Sequence, residues 1–220
     1  MISFHAVHKS YRTLAGRRTI LHDATFELPA DRNIGILGAN GAGKSTLLRL
    51  IAGTELPNRG RVRRRALVSF PIGYAGTFHP DLSARANARF LARVYGLPVE
   101  RATDWIADFS ELGTYFDMPV KTFSSGMFAR LAFSTSLAFD FDIYLIDEAT
   151  EAGDARFRQK YVAALRERLT RSRVVIVSHN PATIRTYCDC GAVLHDGVFM
   201  LYDTVDEAMV AYEHILRRAA

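Results

Sequence analysis

Lys44 and Ser45 close a glycine-rich run, Gly38-Ala-Asn-Gly-Ala-Gly43, and together these residues satisfy the spacing G-x-x-x-x-G-K-[ST]. Glycines let a backbone curl with its N–H groups inward around a phosphate. A helix that starts at the lysine turns its positive end to the same anion. In such a loop Lys44 reaches the β- and γ-phosphates of a nucleotide, the Ser45 hydroxyl ligates magnesium, and Asn40, Gly41 and Thr46 complete the cradle. A turn that only joined a strand to a helix would need neither lysine nor serine at those two positions.

A phosphate loop needs a second anchor for the metal. The apolar run Ile143-Tyr-Leu-Ile146 reads as a buried strand and ends in Asp147-Glu148. Asp147 is the metal-side candidate, and Glu148, one residue beyond the strand, is the candidate base for the attacking water. Taken alone, an acidic pair capping the next segment fits equally well, and it is the phosphate loop that favours the catalytic reading. A third run, Val174 to Val177, ends in Ser178-His179-Asn180 and carries an imidazole to the same edge of a parallel sheet, where His179 could hydrogen-bond the γ-phosphate. A nucleotide and Mg2+ are the expected ligands, and the loop alone would fit a kinase, a GTPase or a motor.

These residues need a scaffold that delivers several loops to one edge. Ile2 to Val7, Thr25 to Leu28, Ile34 to Leu37, Ile143 to Ile146 and Val174 to Val177 read as strands, with helical patterns between the later ones, so the expected class is α/β. Short strand signals broken by Leu-Ala-Gly-Arg-Arg predict an antiparallel edge beside the main sheet. Phe90, Leu91, Val94 and Leu97 recur at helical steps, which places a helical insertion at roughly residues 80–138. Thr204 and Glu207 have capping-box spacing ahead of a stripe of Ala208, Met209, Tyr212, Ile215 and Leu216, so residues 204–218 predict a docking helix.

Hydrophobic residues make up 49% of the 220, enough for one substantial core, and the expectation is a single domain over residues 1–220. No run approaches the roughly 18 apolar residues of a membrane span, and the N-terminus lacks a signal-peptide layout, which points to the cytosol. Cys188 and Cys190 are too close for an ordinary disulfide and too few for a zinc site, so they read as reduced structural thiols. The net charge of +5 suits an anionic partner without choosing one.

Between the phosphate loop and Asp147 lies Phe123-Ser-Ser-Gly-Met127, followed by a helical run to Phe139. This resembles the LSGGQ signature of ATP-binding cassette (ABC) ATPases, with Ser125 and Met127 as departures. The resemblance implies a P-loop NTPase (ABC ATPase) core with an antiparallel β edge and an inserted helical subdomain. It also implies that Ser124 and Gly126 contact the γ-phosphate, that Tyr11 stacks on adenine, and that Asp154 is the D-loop aspartate. His79, in Gly76-Thr-Phe-His-Pro80, stands where the family offers a Q-loop glutamine, and imidazole is a poorer mimic of an amide oxygen. The wording Phe-Ser-Ser-Gly-Met-x-Ala-Arg-Leu-Ala-Phe, Gly153-Asp-Ala-Arg-Phe157 and Tyr115-Phe-Asp-Met-Pro119 is similar to capsular polysaccharide export ATPases, with O-antigen and teichoic-acid exporters as relatives.

The same resemblance implies a head-to-tail ATP-sandwich dimer, in which ATP on Lys44 of one chain is covered by Ser124 of the other. An integral membrane permease subunit would dock near His79, with periplasmic and outer-membrane export components beyond it. The chain would then be peripheral at the cytoplasmic face of the inner membrane, powering polysaccharide export, with no nucleic acid as partner. The alternative is a soluble ABC-type ATPase acting on nucleic acid or ribosomes, with Arg61-Val-Arg-Arg-Arg65 as the phosphate-contacting patch.

Overall fold

The structure is a computed structural model that describes residues 1–220 apart from 15, 73–74, 148–154, 179–180 and 220, and apart from the side chains of Ala75 and Ala219. In chain order the elements are β1 (Ile2–Thr13), β2 (Gly16–Leu28), β3 (Ile34–Leu37), α1 (Lys44–Ala52), β4 (Arg59–Arg64), β5 (Val68–Ile72), α2 (Ala84–Val94), α3 (Val99–Ser110) and α4 (Ser125–Leu137). There follow β6 (Ile143–Asp147), α5 (Ala155–Leu169), β7 (Arg173–Val177), α6 (Pro181–Tyr187), β8 (Cys190–His195), β9 (Val198–Tyr202) and α7 (Val205–Ala219). They fall into two compact units, one of Met1–Pro71, Phe141–Glu148 and Ser172–Ala220, the other of Ile72–Asp140 and Ala149–Arg171.

The first unit holds the antiparallel edge that the turn chemistry predicts, a three-stranded sheet in the order β2-β1-β4. Ile2 and Phe4 point to the core; a bulge at Ala6, whose φ is 45°, shifts the phase so that Val7 and Lys9 are the next buried residues. Phe4 stacks on Phe26 at 4.3 Å and Phe26 on Phe199 at 4.1 Å, tying this sheet to β9.

The larger sheet runs β5-β6-β7-β3-β8-β9. β6, β7, β3 and β8 are parallel neighbours in that order, and β9 pairs antiparallel with β8. All four residues of β3 are buried, as a strand covered on both faces requires. Leu47, Leu48, Leu50 and Ile51 of α1 join the same core cluster. The capping box of α7 closes as predicted: Glu207 N–H donates to Thr204 Oγ1 and Thr204 N–H to Glu207 Oε2, each at 3.2 Å. Its stripe docks through Val205, Ala208 and Met209, with Tyr212 and Ile215 half-buried, but Leu216 lies on the exposed side.

The second unit is helical, as the insertion pattern predicts. The inward face of α2 is built mostly of small residues. Ala84, Ala88, Leu91 and Ala92 are buried, whereas Phe90 and Val94 are 59% and 60% exposed. Small alanines beside Leu91 form the inward face of α2, and Phe90 and Val94 turn out to solvent. Phe133 stacks on Tyr161 at 4.3 Å within this unit. Among the described residues no helix is long and apolar enough to cross a membrane.

Candidate nucleotide site

β3 ends at Leu37, and the chain turns at once into the glycine loop and then α1. Gly43 sits at the cap of α1 with φ 103°, and a Cβ there would collide with Ile20, so this position requires glycine on two counts. The loop is closed by Ala42 N–H donating to Ala39 O at 3.0 Å and by the first helical bond, Leu47 N–H to Gly43 O at 2.9 Å. Among α1's early residues, Lys44 is only 8% exposed while Ser45 faces solvent.

The Lys44 ammonium donates to Gly38 O at 2.7 Å and Ala39 O at 3.1 Å, so its charge is held inside the loop. Burial lowers its pKa from the ordinary lysine value, and the Asp147 carboxylate works against that shift. Asp147 reaches this neighbourhood through strand register: it pairs with Val177 on β7, and Val177 pairs with Ile36 on β3. Asp147 therefore lies level with the last residues of β3, about 10 Å away across two strand spacings.

One pocket of about 340 Å³ gathers Tyr11, Ile20, Gly41, Gly43, Lys44 and Asp147, and it also includes Arg18, Asn40, Ser45 and Thr46. It joins the antiparallel edge to the phosphate loop, the combination a nucleotide's base and phosphates need. The Tyr11 hydroxyl donates to Glu55, and Lys9 Nζ lies 5.0 Å from the Tyr11 ring centroid. Thr46 Oγ1 accepts from Arg49 at 3.1 Å.

Three residues of this pocket and its rim have no counterpart in the motif reading. Arg18 is paired directly across from Tyr11 and donates to Gly41 O, fastening the hairpin to the loop. Arg49 and Glu55 hold one another at 2.8 Å behind Tyr11. The register of the β1–β2 hairpin would have found Arg18; Glu55 lies in a loop and carries no sequence signal.

Ser124 and Gly126 belong to the second unit. Ser124 caps α4, its Oγ accepting from Met127 N–H at 3.2 Å, so the serine fixes the helix end whose N–H groups face outward. His79 is exposed, and its peptide is clamped by Asn87: His79 N–H donates to Asn87 Oδ1 at 2.7 Å, and Asn87 Nδ2 donates to His79 O at 3.1 Å. Glu148, Asp154 and His179 lie outside the described residues. Cys188 and Cys190 are free thiols; burial first, then the neighbouring Cys190 and Asp189, pushes Cys188 up to about 12, so it is inert at neutral pH.

A glycine loop after a central parallel strand, a lysine at the head of the next helix and an aspartate two strands away define a P-loop nucleotide-binding protein. The family model described as ABC transporter matches residues 21–151. The capsule polysaccharide export ATP-binding protein CtrD of Neisseria meningitidis serogroup B is 43% identical over 215 residues, covering 98% of this chain and all of its own. The chain belongs to the ABC transporter family and is an ATPase of that family.

The ATP-binding protein BexA of Haemophilus influenzae is 42% identical, over 96% of this chain and 98% of its own. A solved dimeric post-hydrolysis state of an ATP-binding cassette bound to ADP and Pi matches at a TM-score of 0.72 and 21% identity, over 90% of this chain and 95% of its own, a likeness of fold. The alternative of a nucleic-acid ATPase gains nothing from these relatives, and Arg61 to Arg64 of its basic run lie on β4.

Proposed function

We propose that the chain is the ATP-hydrolysing subunit of an exporter of capsular or related cell-surface polysaccharide, seated peripherally on the cytoplasmic face of the inner membrane and acting on a separate permease. The observation that supports this most is the likeness to capsule-export ATP-binding proteins along nearly the whole chain. In this reading residues 1–220 work as one nucleotide-binding domain, with 80–138 as its helical insertion and 204–218 as its docking helix.

In the proposed site Lys44 swings from the carbonyls of Gly38 and Ala39 to the β- and γ-phosphates. Gly38, Asn40, Gly41, Gly43 and Thr46 surround the phosphates, and Tyr11 offers a flat face to the base. The donor set fits magnesium: the Ser45 hydroxyl is exposed at the first turn of α1, the Asp147 carboxylate lines the same pocket, and both are hard oxygen donors that leave room for phosphates and water. When bound, the ion neutralises charge that builds on the β- and γ-oxygens. Glu148 orients and deprotonates the water, and His179 hydrogen-bonds the γ-phosphate.

Ser124 and Gly126 of a second copy cover the nucleotide held by the first, and Asp154 joins that contact. His79 stands at the face that meets the permease, with periplasmic and outer-membrane components further along the path. The test is purification of the tagged chain from its native membranes. An integral membrane protein should co-purify, and the K44A variant should leave polysaccharide inside the cell and none on its surface. Recovery without a membrane partner, together with unchanged surface polysaccharide, would overturn the proposal.

A further inference from the structure

The antiparallel sheet has two faces, and only one serves the nucleotide pocket. Tyr11 and Arg18, paired across β1 and β2, line that pocket. Side chains alternate along a strand, so Ser10, Arg12 and Arg17 project from the opposite face. There they line a separate cavity of about 530 Å³ with His8, Asn58 and Arg59.

The floor of this cavity is built. A bulge in β1 lies between His5 and His8 in the pairing with β4, where Ala6 adopts φ 45°. Gly60 packs so closely on the bulge that a Cβ would strike the carbonyl of Ala6, and its own φ of 77° favours glycine. The bulge brings His8 opposite Arg59. Asn58 closes the side, accepting from Ser10 N–H at 2.6 Å and donating its own N–H to His8 O at 2.9 Å.

The charge of the cavity is one-sided. Arg12 and Arg17 are directly opposed across β1 and β2, an arrangement that like charges disfavour. Among the described residues none of Arg12, Arg17 and Arg59 makes an ion pair, and no carboxylate lines the cavity. The carboxylate in ion-pair range of its rim is that of Asp23, 3.9 Å from His8 Nδ1. Three guanidinium groups lining one cavity without a counter-charge are the side chains best suited to phosphoryl oxygens.

We propose that this cavity is a second anion site, separate from the nucleotide pocket, which takes a pyrophosphoryl or closely spaced phosphoryl group through Arg12, Arg17 and Arg59. Such a group comes either free or on a lipid headgroup. Nucleic acid fits less well, since no phenylalanine, tyrosine or tryptophan lines the cavity to stack a base. The site goes beyond the transport reading and holds whether or not that reading does.

The test is titration of inorganic pyrophosphate into protein whose nucleotide pocket is saturated with ADP, with magnesium in excess of both. One further binding event is expected, weakened at least tenfold in R12Q/R59Q and unchanged in R93Q/R171Q, which loses the same charge from exposed arginines elsewhere. A parallel arm measures sedimentation with phosphatidylglycerol vesicles against phosphatidylcholine vesicles. Binding in that arm alone, with the same variant pattern, supports the lipid-borne source of the phosphoryl group. Should R12Q/R59Q not fold, the wild-type melting temperature carries the test, since an anion bound only by the native state raises it. No pyrophosphate or vesicle binding and no rise in melting temperature, an equal loss in both variants, or binding of a single-stranded oligonucleotide without pyrophosphate would each overturn the proposal.

Discussion

The carboxylate of Glu55 accepts the phenolic hydrogen of Tyr11, and the same carboxylate is held by Lys9 at 2.6 Å and Arg49 at 2.8 Å. Burial alone would raise the pKa of Glu55; hydrogen bonds from Lys9, Tyr11 and Arg49, with the charge of Lys9, outweigh it and bring the value down from 4.5 to about 2. Tyr11 is thus fixed at the pocket mouth by a charge cluster.

Glu55→Gln should therefore destabilise the protein by about 1–3 kcal/mol at neutral pH and weaken ATP binding roughly two- to tenfold through a looser Tyr11. A carboxylate whose folded pKa is depressed stabilises the fold above its unfolded value and loses that contribution as pH falls. The gap in melting temperature between wild type and E55Q should be full above pH 4.5 and shrink towards pH 2. A gap independent of pH across that window would count against the cluster.

Lys44→Ala removes a buried ammonium whose pocket partners are oxygens. Loss of one charge-assisted contact to phosphate should weaken ATP binding roughly 10- to 150-fold. Fluorescence titration with a labelled ATP analogue measures this, and affinity equal to wild type would contradict the placement of Lys44 at the phosphates.

Glu148→Gln should keep ATP binding and lower turnover roughly a hundred- to ten-thousand-fold, the range expected when a general base is lost. ATP should then hold two copies together, visible as a dimer by size exclusion. Wild-type turnover in E148Q would remove Glu148 from the role of base.

Long-range order was legible wherever local chemistry dictates it. The glycine loop, the apolar strands β3, β6 and β7, and the Thr204–Glu207 capping box each follow from residues adjacent in sequence. Arg18 and Glu55 were not legible, because their roles arise from hairpin register and from a loop meeting a strand, contacts that span 23 and 44 residues. The periodicity of Phe90, Leu91 and Val94 predicts the helix α2 and leaves its buried face open. Helical periodicity marks residues that share a face, but burial is decided by how close the neighbours come, and there Ala84, Ala88 and Ala92 went inside while Phe90 and Val94 did not. Glu148, Asp154 and His179 rest on motif order alone.

Asn87 carries the last prediction. It is 3% exposed, and its side chain accepts from His79 N–H, while its two amide hydrogens are shared among the carbonyls of His79, Leu82 and Ser83 at 3.1, 3.3 and 3.0 Å. One amide thus satisfies the turn that carries His79 and the entry to α2. Asn87→Ala takes the acceptor from His79 N–H, while the carbonyls of His79, Leu82 and Ser83 keep the backbone N–H groups of Leu82, Val120 and residue 87, so the change should cost about 1–3 kcal/mol and lower the melting temperature by about 2–12 °C. If His79 works at the permease face, N87A should also lose transport while its affinity for ATP stays at the wild-type value. A matching fall in ATP affinity would place the effect on the nucleotide site instead, and unchanged transport would remove the turn from the coupling path.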